Sequence, residues 1–384
     1  MPFRVFFVLA ALDAILGVGV WIPVLMAWAP GMIGGEAVAI WHGRALLLGT
    51  VPVMIAGFLR TALPRWTGEP VRWQPAWGAL VPLWLAGRAA SLWWPPAASA
   101  IAAAFLVILA GLTTRHLSAS PEWRNRRVAA LIITLALAAA AASRNGGDNL
   151  QDDAAGRAVL ASILGFVMIL GGRIAPALTA WHLGLPERGS LHAGRPALEF
   201  AAALAAGGAL AGWVVAPASP ATGAACTLAA LAQALRLLQW RGWRAVRMPS
   251  VIVIHAAYAG VPLGFALLAM HILSPNGGPS RSAAVHAWAV GAIGVMALAI
   301  MSSMVRKHTG RAFSSSTPMT VGYGLGVAAC VLRLGAEVAD AARAPLLLGA
   351  SAAWIGAFGL FLIAFAPTLS GGAWARRCRD GHED

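Results

Sequence analysis

Residues 41–68 have the sequence WHGRALLLGTVPVMIAGFLRTALPRWTG. The stretch is apolar enough to cross a bilayer, yet it carries His42 near one end and Arg60 near the other. These two residues are 18 positions apart, which is about five turns of an α-helix, so they are expected to share one face. Gly49 and Ala56 lie within about 40° of that line. A stripe that is polar at both ends and small in the middle predicts a helix packed against other helices, or against a flat group held between them.

The composition of the whole chain is that of an integral membrane protein. Of its 384 residues, 59% are hydrophobic and 11% are charged, whereas soluble domains contain roughly 25% charged residues. The net charge is +14, but the basic residues stand at the ends of hydrophobic segments and do not form a nucleic-acid-binding patch, so no nucleic acid is expected as a partner. Cys226, Cys330 and Cys378 form no CxxC or CxxCH pattern, which argues against a disulfide framework, a zinc ribbon and c-type haem attachment.

Twelve hydrophobic segments approach the roughly 20 residues that a bilayer requires. Their predicted limits are 5–28, 38–63, 76–94, 96–115, 126–143, 156–178, 196–217, 220–240, 249–272, 283–305, 319–340 and 344–367. The first is interpreted as an uncleaved span. The chain is therefore predicted to be an all-α polytopic membrane protein, a bundle of about twelve transmembrane helices in a single domain over residues 1–384. No internal sequence repeat is evident.

Basic residues are unevenly divided between the two sets of loops. One set holds Arg65, Arg72, Arg115, Arg124, Arg126, Arg127, Arg188, Arg195, Arg236, Arg241, Arg244, Arg247, Arg306, Lys307, Arg311, Arg376, Arg377 and Arg379. The opposite set holds only Arg144, Arg157, Arg281 and Arg343. Because positively charged loops stay in the cytoplasm, both termini are predicted to be cytoplasmic.

Depth along each span separates the histidines. Counted from the cytoplasmic ends, His42, His271 and His286 lie roughly 31–33 Å up, near the outer face, whereas His255 lies about 9 Å above the inner end of its span. His42 and His286 are each followed by small residues, Gly49 in the first case and glycines 291 and 294 in the second. This spacing is explained either by tight helix packing or by a haem held between level histidines. For His271, an interfacial or hydrogen-bonded histidine is the simpler interpretation.

Charged residues inside spans are costly and usually functional. Arg88 and Arg333 lie toward the outer face, at the level of the two outer histidines, where cations would suit the propionates of a haem. The alternatives are that each arginine binds a helix carbonyl, or that Arg333 pairs with Glu337 one turn later. Asp13 lies inside the first span, and the sequence suggests no partner for it.

Four stretches together resemble the NnrS family of bacterial membrane proteins. They are WHGRALLLGTVPVMIAGFLRTALPRWTG (41–68), GGRIAPALT (171–179), HAWAVGAIGVMALAIMSSMVRKHTGR (286–311) and WIGAFGLFLIAFAP (354–367). The resemblance implies a twelve-span protein of the bacterial inner membrane, distantly similar to a haem–copper oxidase subunit. It further implies haem and copper as cofactors and a role in denitrification or nitrosative-stress defence, with nitric oxide as ligand or substrate.

Carried over residue by residue, the family pattern WHxHE corresponds here to residues 41–45. The first histidine is His42, but Arg44 stands in place of the second and Ala45 in place of the acid. With those two ligands missing, haem is the expected cofactor and copper is not asserted. The resemblance makes His42, His286, His255 and His308 the candidate metal ligands.

The leading hypothesis is a haem-binding membrane protein that handles nitric oxide by reduction, scavenging or sensing. His42 and His286 are the candidate axial ligands, with Arg88, Arg333 and Arg44 as propionate partners. Reduction would need an electron donor in the membrane or the periplasm, and whether the chain is an enzyme stays open. If His255 binds metal, its depth assigns it to a second, more cytoplasmic site, for which the resemblance supplies His308. The alternatives are a twelve-span transporter and a catalytically silent family member without the copper site.

Overall fold

The computed structural model describes residues 3–29, 32–33, 36–68, 75–118, 123–144, 152–185, 196–310 and 315–369. Within these ranges the chain is helical apart from turns and one short antiparallel hairpin, in which β1 (Met32–Ile33) pairs with β2 (Glu36–Ala37). The prediction of an all-α polytopic membrane protein is confirmed. Some predicted loop cations and one cysteine lie outside the described residues, namely Arg72, Arg188, Arg195, Arg311, Arg376, Arg377, Arg379 and Cys378.

The helices follow the predicted segments closely. The first eight are α1 (Phe3–Gly19), α2 (Trp21–Leu25), α3 (Val38–Arg44), α4 (Val51–Thr67), α5 (Pro75–Ala90), α6 (Pro95–Leu117), α7 (Trp123–Arg144) and α8 (Ala154–His182). The others are α9 (Pro196–Val215), α10 (Pro220–Gln239), α11 (Pro249–Leu273), α12 (Arg281–His286), α13 (Val295–His308), α14 (Thr317–Gly335) and α15 (Arg343–Leu369). Short 3₁₀ turns cover Gly242–Ala245 and Asp340–Ala342.

Eleven helical segments of the described chain are long and apolar enough to cross a membrane. They correspond to eleven of the twelve predicted spans. The twelfth, predicted over 76–94, is the 16-residue helix α5, which ends at Ala90 and is followed by a turn before α6 begins at Pro95. Proline suits the first turn of a helix because its missing N–H has no partner there anyway.

Two π-helical segments interrupt the most buried spans. Segment π1 (Ala45–Thr50) joins α3 to α4, and segment π2 (Ala287–Gly294) joins α12 to α13. A π-helix forms i→i+5 hydrogen bonds and turns less per residue than an α-helix. The count of five α-helical turns between His42 and Arg60 therefore does not hold, and the predicted common face is wrong for that reason. The burial expected of this span is observed, since 94% of its most apolar window is buried.

The chain divides into two compact units. Unit 1 comprises Met1–Val159, Ile300–Gly322 and Ile355–Asp384, and unit 2 comprises Leu160–Ala299 and Tyr323–Trp354. Inside unit 1, α1 packs on α4, and α6 packs on both α5 and α7. Inside unit 2, α10 packs between α9 and α11, and α11 packs on π2. The prediction of a single transmembrane domain over 1–384 stays a prediction, because the division into two units does not test it.

Glycines allow the closest of these helix contacts. A Cβ at Gly57 of α4 would come within about 3 Å of the rings or Cβ atoms of Phe6 and Phe7 on α1. A Cβ at Gly260 of α11 would stand 2.6 Å from the backbone nitrogen of Ala292 in π2. Small residues permit such backbone approach between helices in membranes, which is why these two positions cannot carry a larger side chain without a shift.

Candidate functional site

His42 stands at the end of α3, three residues before π1 begins. Its Nδ1 lies 2.9 Å from the backbone oxygen of Gly17 on α1, and its ring is 5.9 Å from that of Trp21. A carbonyl oxygen can only accept a hydrogen bond, so Nδ1 carries the proton and a neutral ring has its lone pair on Nε2. This is the arrangement that orients a histidine toward a metal.

A buried ion pair lies in the same unit. Asp13 on α1 binds Arg88 on α5, with Asp13 Oδ1 2.8 Å from Arg88 Nε, and its side chain is only 5% exposed. The other carboxylate oxygen, Oδ2, accepts a hydrogen bond of 2.6 Å from the Thr50 hydroxyl at the end of π1. The intramembrane acid for which the sequence suggested no partner is thus held by two residues, 37 and 75 positions away in the sequence. Both contacts are charge-assisted and so belong to the stronger class of hydrogen bonds.

Side chains of α5 also hold π1 in place. Trp84 Nε1 donates to the backbone oxygen of Gly49 at 3.0 Å, and the guanidinium carbon of Arg88 lies 5.5 Å from the ring centroid of Trp41. Gly49 itself leaves room for the ion pair, since a Cβ there would stand 3.0 Å from Arg88 Nη1 and 3.3 Å from Asp13 Oδ2. The small residue that the sequence associated with helix packing or a cofactor therefore accommodates Arg88.

A cavity of about 40 Å³ adjoins this cluster. Trp41, Arg44, Gly49, Trp84 and Arg88 are among its lining residues. Since a cavity needs roughly 10–15 Å³ of such volume per water molecule, this one has room for a few waters or a diatomic molecule. Arg44 and Arg88 give the lining two cationic side chains, whereas His42 is not among its described lining residues.

His286 occupies the corresponding position in unit 2, as the last residue of α12, directly before π2. Its Nδ1 lies 2.8 Å from the backbone oxygen of Ser282 and 3.2 Å from the hydroxyl of the same residue. By the argument used for His42, the proton is on Nδ1 and the lone pair on Nε2. The two histidines predicted as ligands thus have the same tautomer. Each lies close to the residue at which an α-helix passes into a π-helical segment.

Arg333 on α14 contacts both the His286 region and a carboxylate. Its Nη1 lies 2.5 Å from Glu337 Oε1, and its Nη2 donates to the Ser282 hydroxyl at 2.9 Å. The pair with Glu337, one turn later, is the alternative that the sequence left open. Burial alone would raise the pKa of the Glu337 carboxyl, but hydrogen bonds from Ser280 and Arg333 and the charge of Arg333 together hold it below its ordinary value.

His255 on α11 has the opposite tautomer. Its Nε2 lies 2.7 Å from the hydroxyl oxygen of Thr179, and that hydroxyl donates its proton to the backbone oxygen of Ala175 at 2.8 Å. The hydroxyl must therefore accept from His255 Nε2–H, so the lone pair is on Nδ1. Nδ1 is buried without a hydrogen-bond partner in the described part of the chain, and a Cβ at Gly242 would stand within 3 Å of it.

The remaining histidines of interest have different surroundings. His308 ends α13 in unit 1 and its ring lies 5.4 Å from that of Phe3, whereas His255 belongs to unit 2. His271, near the end of α11, places Nδ1 3.0 Å from the backbone oxygen of Pro279. It therefore matches the hydrogen-bonded histidine that the sequence favoured for this position.

A polar network in unit 2 was not anticipated from the sequence, which assigned Arg236 to a cytoplasmic loop. Arg236 lies inside α10, where it binds Glu199 on α9 at 2.7 Å and donates to the Tyr258 hydroxyl. Tyr258 in turn donates to Gln233 at 2.7 Å, and a Cβ at Gly172 would collide with the guanidinium. The sequence does show the glycine pair 171–172 and a tyrosine inside a span. Neither feature indicates which residue it contacts.

The residues that replace the second histidine and the acid of the family pattern supply no copper ligand. Arg44 and Ala45 offer no ligand atom, and the described residues contain no group of three or more His, Cys, Asp or Glu side chains placed to hold a metal ion. A haem needs only one or two axial imidazoles besides its own ring nitrogens. The tautomers of His42 and His286 put the lone pair on Nε2, which is what that simpler requirement asks of a histidine.

The fold defines a class, a polytopic helical membrane protein, and buried or partly buried arginine–carboxylate pairs lie in both of its units. The particular family follows from comparison with known proteins. The model of the family described as NnrS protein matches residues 1–372. The chain therefore belongs to the NnrS family, and this membership supports a role in the nitric oxide response. A search of curated proteins finds no match to the chain.

Proposed function

We propose that this chain is a haem-binding membrane protein that handles nitric oxide by reduction, scavenging or sensing. The observation that carries the proposal is the tautomer shared by His42 and His286, each fixed by a backbone carbonyl at Nδ1. Each of them is a proposed axial ligand through Nε2. A bound haem would supply an iron centre able to coordinate nitric oxide, and the protein would supply the imidazole, its orientation and the surrounding charge.

Arginines of the same regions are the proposed partners of the haem propionates. Arg88 and Arg44 line the cavity in unit 1, and Arg333 lies beside His286 in unit 2. A guanidinium has five N–H donors, so Arg88 and Arg333 can keep their carboxylates and still bind another anion. The cavity, with room for a diatomic molecule, is the proposed docking place for nitric oxide in unit 1. If nitric oxide is reduced, the electron donor is proposed to lie in the membrane or the periplasm.

An absorption spectrum after haem supply tests the proposal. Purified protein should show a Soret band, and both His42→Ala and His286→Ala should shift or weaken it, because each removes a proposed ligand. His182→Ala is the matched control, since His182 is an exposed residue at the end of α8. A protein that folds and takes up no haem would contradict the proposal and favour the transporter hypothesis. Detection of nitrous oxide from reconstituted protein would separate reduction from scavenging, sensing or a silent role.

The proposed setting is the bacterial inner membrane with both termini in the cytoplasm. The uneven distribution of basic residues supports the orientation. Exposed tryptophans support only the positions of the span ends, because Trp28, Trp93 and Trp94 stand at predicted outer ends and Trp181 and Trp243 at predicted inner ends. Tryptophan is enriched at both membrane–water interfaces, so this is the expected pattern. An impermeant maleimide added to intact cells should label Asp152→Cys and not Arg244→Cys. The reverse pattern of labelling would overturn the orientation.

A further inference from the structure

The hydrogen bonds around His286 form a chain that ends at a carboxylate. Glu337 binds Arg333 Nη1, Arg333 Nη2 donates to the Ser282 hydroxyl, and that hydroxyl lies 3.2 Å from His286 Nδ1. The chain joins the turn after α14 to α14 itself and then to α12. These contacts reach His286 at Nδ1, so the chain acts on that side of the ring.

Charge makes the chain directional. A guanidinium can only donate, so the Ser282 hydroxyl oxygen must accept from Arg333 Nη2. The same oxygen still has a lone pair, and the backbone oxygen of Ser282 is also an acceptor, 2.8 Å from His286 Nδ1. The Ser282 hydroxyl also hydrogen-bonds the Glu337 carboxylate, which can only accept its proton. Toward His286 the hydroxyl oxygen, like the backbone oxygen, is therefore an acceptor, and both require a proton on Nδ1.

Glu337 fixes Arg333 in turn. Its Oε1 accepts from Arg333 and its Oε2 accepts from the Ser280 hydroxyl. Ser280 also receives the backbone N–H of Ala283 at 3.1 Å, so it caps the N-terminus of α12. Glu337 thus connects Arg333 to the start of the same short helix that ends at His286.

We propose that Ser282 and Arg333, anchored by Glu337, are positioning residues that hold His286 with its proton on Nδ1 and its Nε2 lone pair directed to a ligand. The proposal rests on the proposed function, in which that ligand is a haem iron. Arg333 acts here through Ser282 and not as a contact of the iron. Residues of this kind commonly change metal affinity by about 10- to 100-fold when they are removed.

The first experiment measures the tautomer without haem. Protein labelled with ¹⁵N-histidine is placed in liposomes, and the His286 signals are assigned by their loss in His286→Ala. Wild-type protein should show His286 protonated on Nδ1, whereas Ser282→Ala and Arg333→Gln should each show an increased share of the Nε2–H form. Ser143→Ala is the matched control, since the Ser143 hydroxyl donates to the backbone oxygen of Ala140 in its own helix.

The second experiment measures haem affinity by titration of the Soret band. Ser282→Ala should weaken binding by about 10-fold, because the backbone oxygen of Ser282 remains, and Arg333→Gln by about 10-fold or more. If Arg333→Gln fails to fold, Ser282→Ala carries the test, since it removes a single hydroxyl. Unchanged tautomer and unchanged affinity in folded Ser282→Ala protein would refute the positioning role. If His286→Ala itself leaves haem binding intact, the proposed ligand is wrong, while the tautomer measurement still decides the positioning role.

Discussion

The buried pair of Asp13 and Arg88 allows a quantitative prediction. Removing one partner of a buried ion pair costs about 3–5 kcal/mol, because the other charge is left uncompensated. The two partners are not equally buried, since the side chain of Asp13 is 5% exposed and that of Arg88 is 18% exposed. Arg88→Met leaves the more buried charge and should cost about 3 kcal/mol or more, with the Thr50 hydrogen bond retained. Asp13→Asn leaves a guanidinium that is partly exposed and lies over Trp41, so its cost should be smaller, about 1.5–3 kcal/mol.

A double-mutant cycle isolates the interaction. The double variant should be destabilised by clearly less than the sum of the two single variants, with a coupling free energy of about 1–3 kcal/mol. The assay is unfolding of the purified protein in mixed micelles by increasing sodium dodecyl sulfate, followed by tryptophan fluorescence. Arg115→Met, at an exposed position of α6, should stay within about 0.5 kcal/mol of wild type. Additivity within about 0.5 kcal/mol, or a larger cost for Asp13→Asn than for Arg88→Met, would refute the reasoning.

Three further predictions use the same unfolding assay. Gly49→Ala should destabilise the protein because its Cβ would meet Arg88 and Asp13, whereas Gly43→Ala, with no atom within 4 Å, should not; equal effects would count against the tight fit. Tyr258→Phe should cost about 1–3 kcal/mol, because Gln233 and Arg236 each lose a buried partner, and no loss would contradict the network. The pKa of Glu337 is lowered on folding, so its stabilising contribution is present above the ordinary pKa of 4.5 and is lost as the pH falls through the lower folded value. Wild type should therefore lose more stability than Glu337→Gln on acidification below about pH 4.5, and parallel losses would argue against that contribution.

The spans were predictable because hydrophobic length is a local property of the sequence. A run of about 20 apolar residues must bury its backbone polar groups in a helix wherever it lies in a membrane. The Arg333–Glu337 pair could also be predicted, since residues four apart in the sequence are neighbours on an α-helix. The exception among the spans is 76–94, where the helix ends at Ala90 and the turn that follows contains Ser91 and two tryptophans.

The π-helical segments could not be predicted, because what holds them is distant in sequence. Thr50 is fixed by Asp13, 37 residues earlier, and the Gly49 carbonyl by Trp84, 35 residues later. Neither partner is visible from the periodicity of residues 41–68, which by itself describes an uninterrupted α-helix. The prediction that His42 and Arg60 share a face was wrong for this reason, although the prediction that the span is buried was right. Two such segments, each beginning within three residues of a candidate ligand, agree with the frequent occurrence of π-bulges at functional sites.

Depth in the membrane alone does not distinguish a ligand from a structural histidine, and the hydrogen-bond partners separate His255 from the three outer histidines without separating those three from one another. His42, His271 and His286 were placed at one level by counting residues, and all three place Nδ1 against a backbone oxygen. His255, by contrast, donates from Nε2 to Thr179 and keeps its lone pair on Nδ1, the nitrogen nearer its own backbone, beneath Gly242. A metal would have to displace that backbone to reach Nδ1, or break the bond to Thr179 to reach Nε2. The geometry therefore places the lone pair of the outer histidines on Nε2 and makes His255 a hydrogen-bonded link between α11 and α8, while the assignment of any of these histidines as a metal ligand stays a prediction.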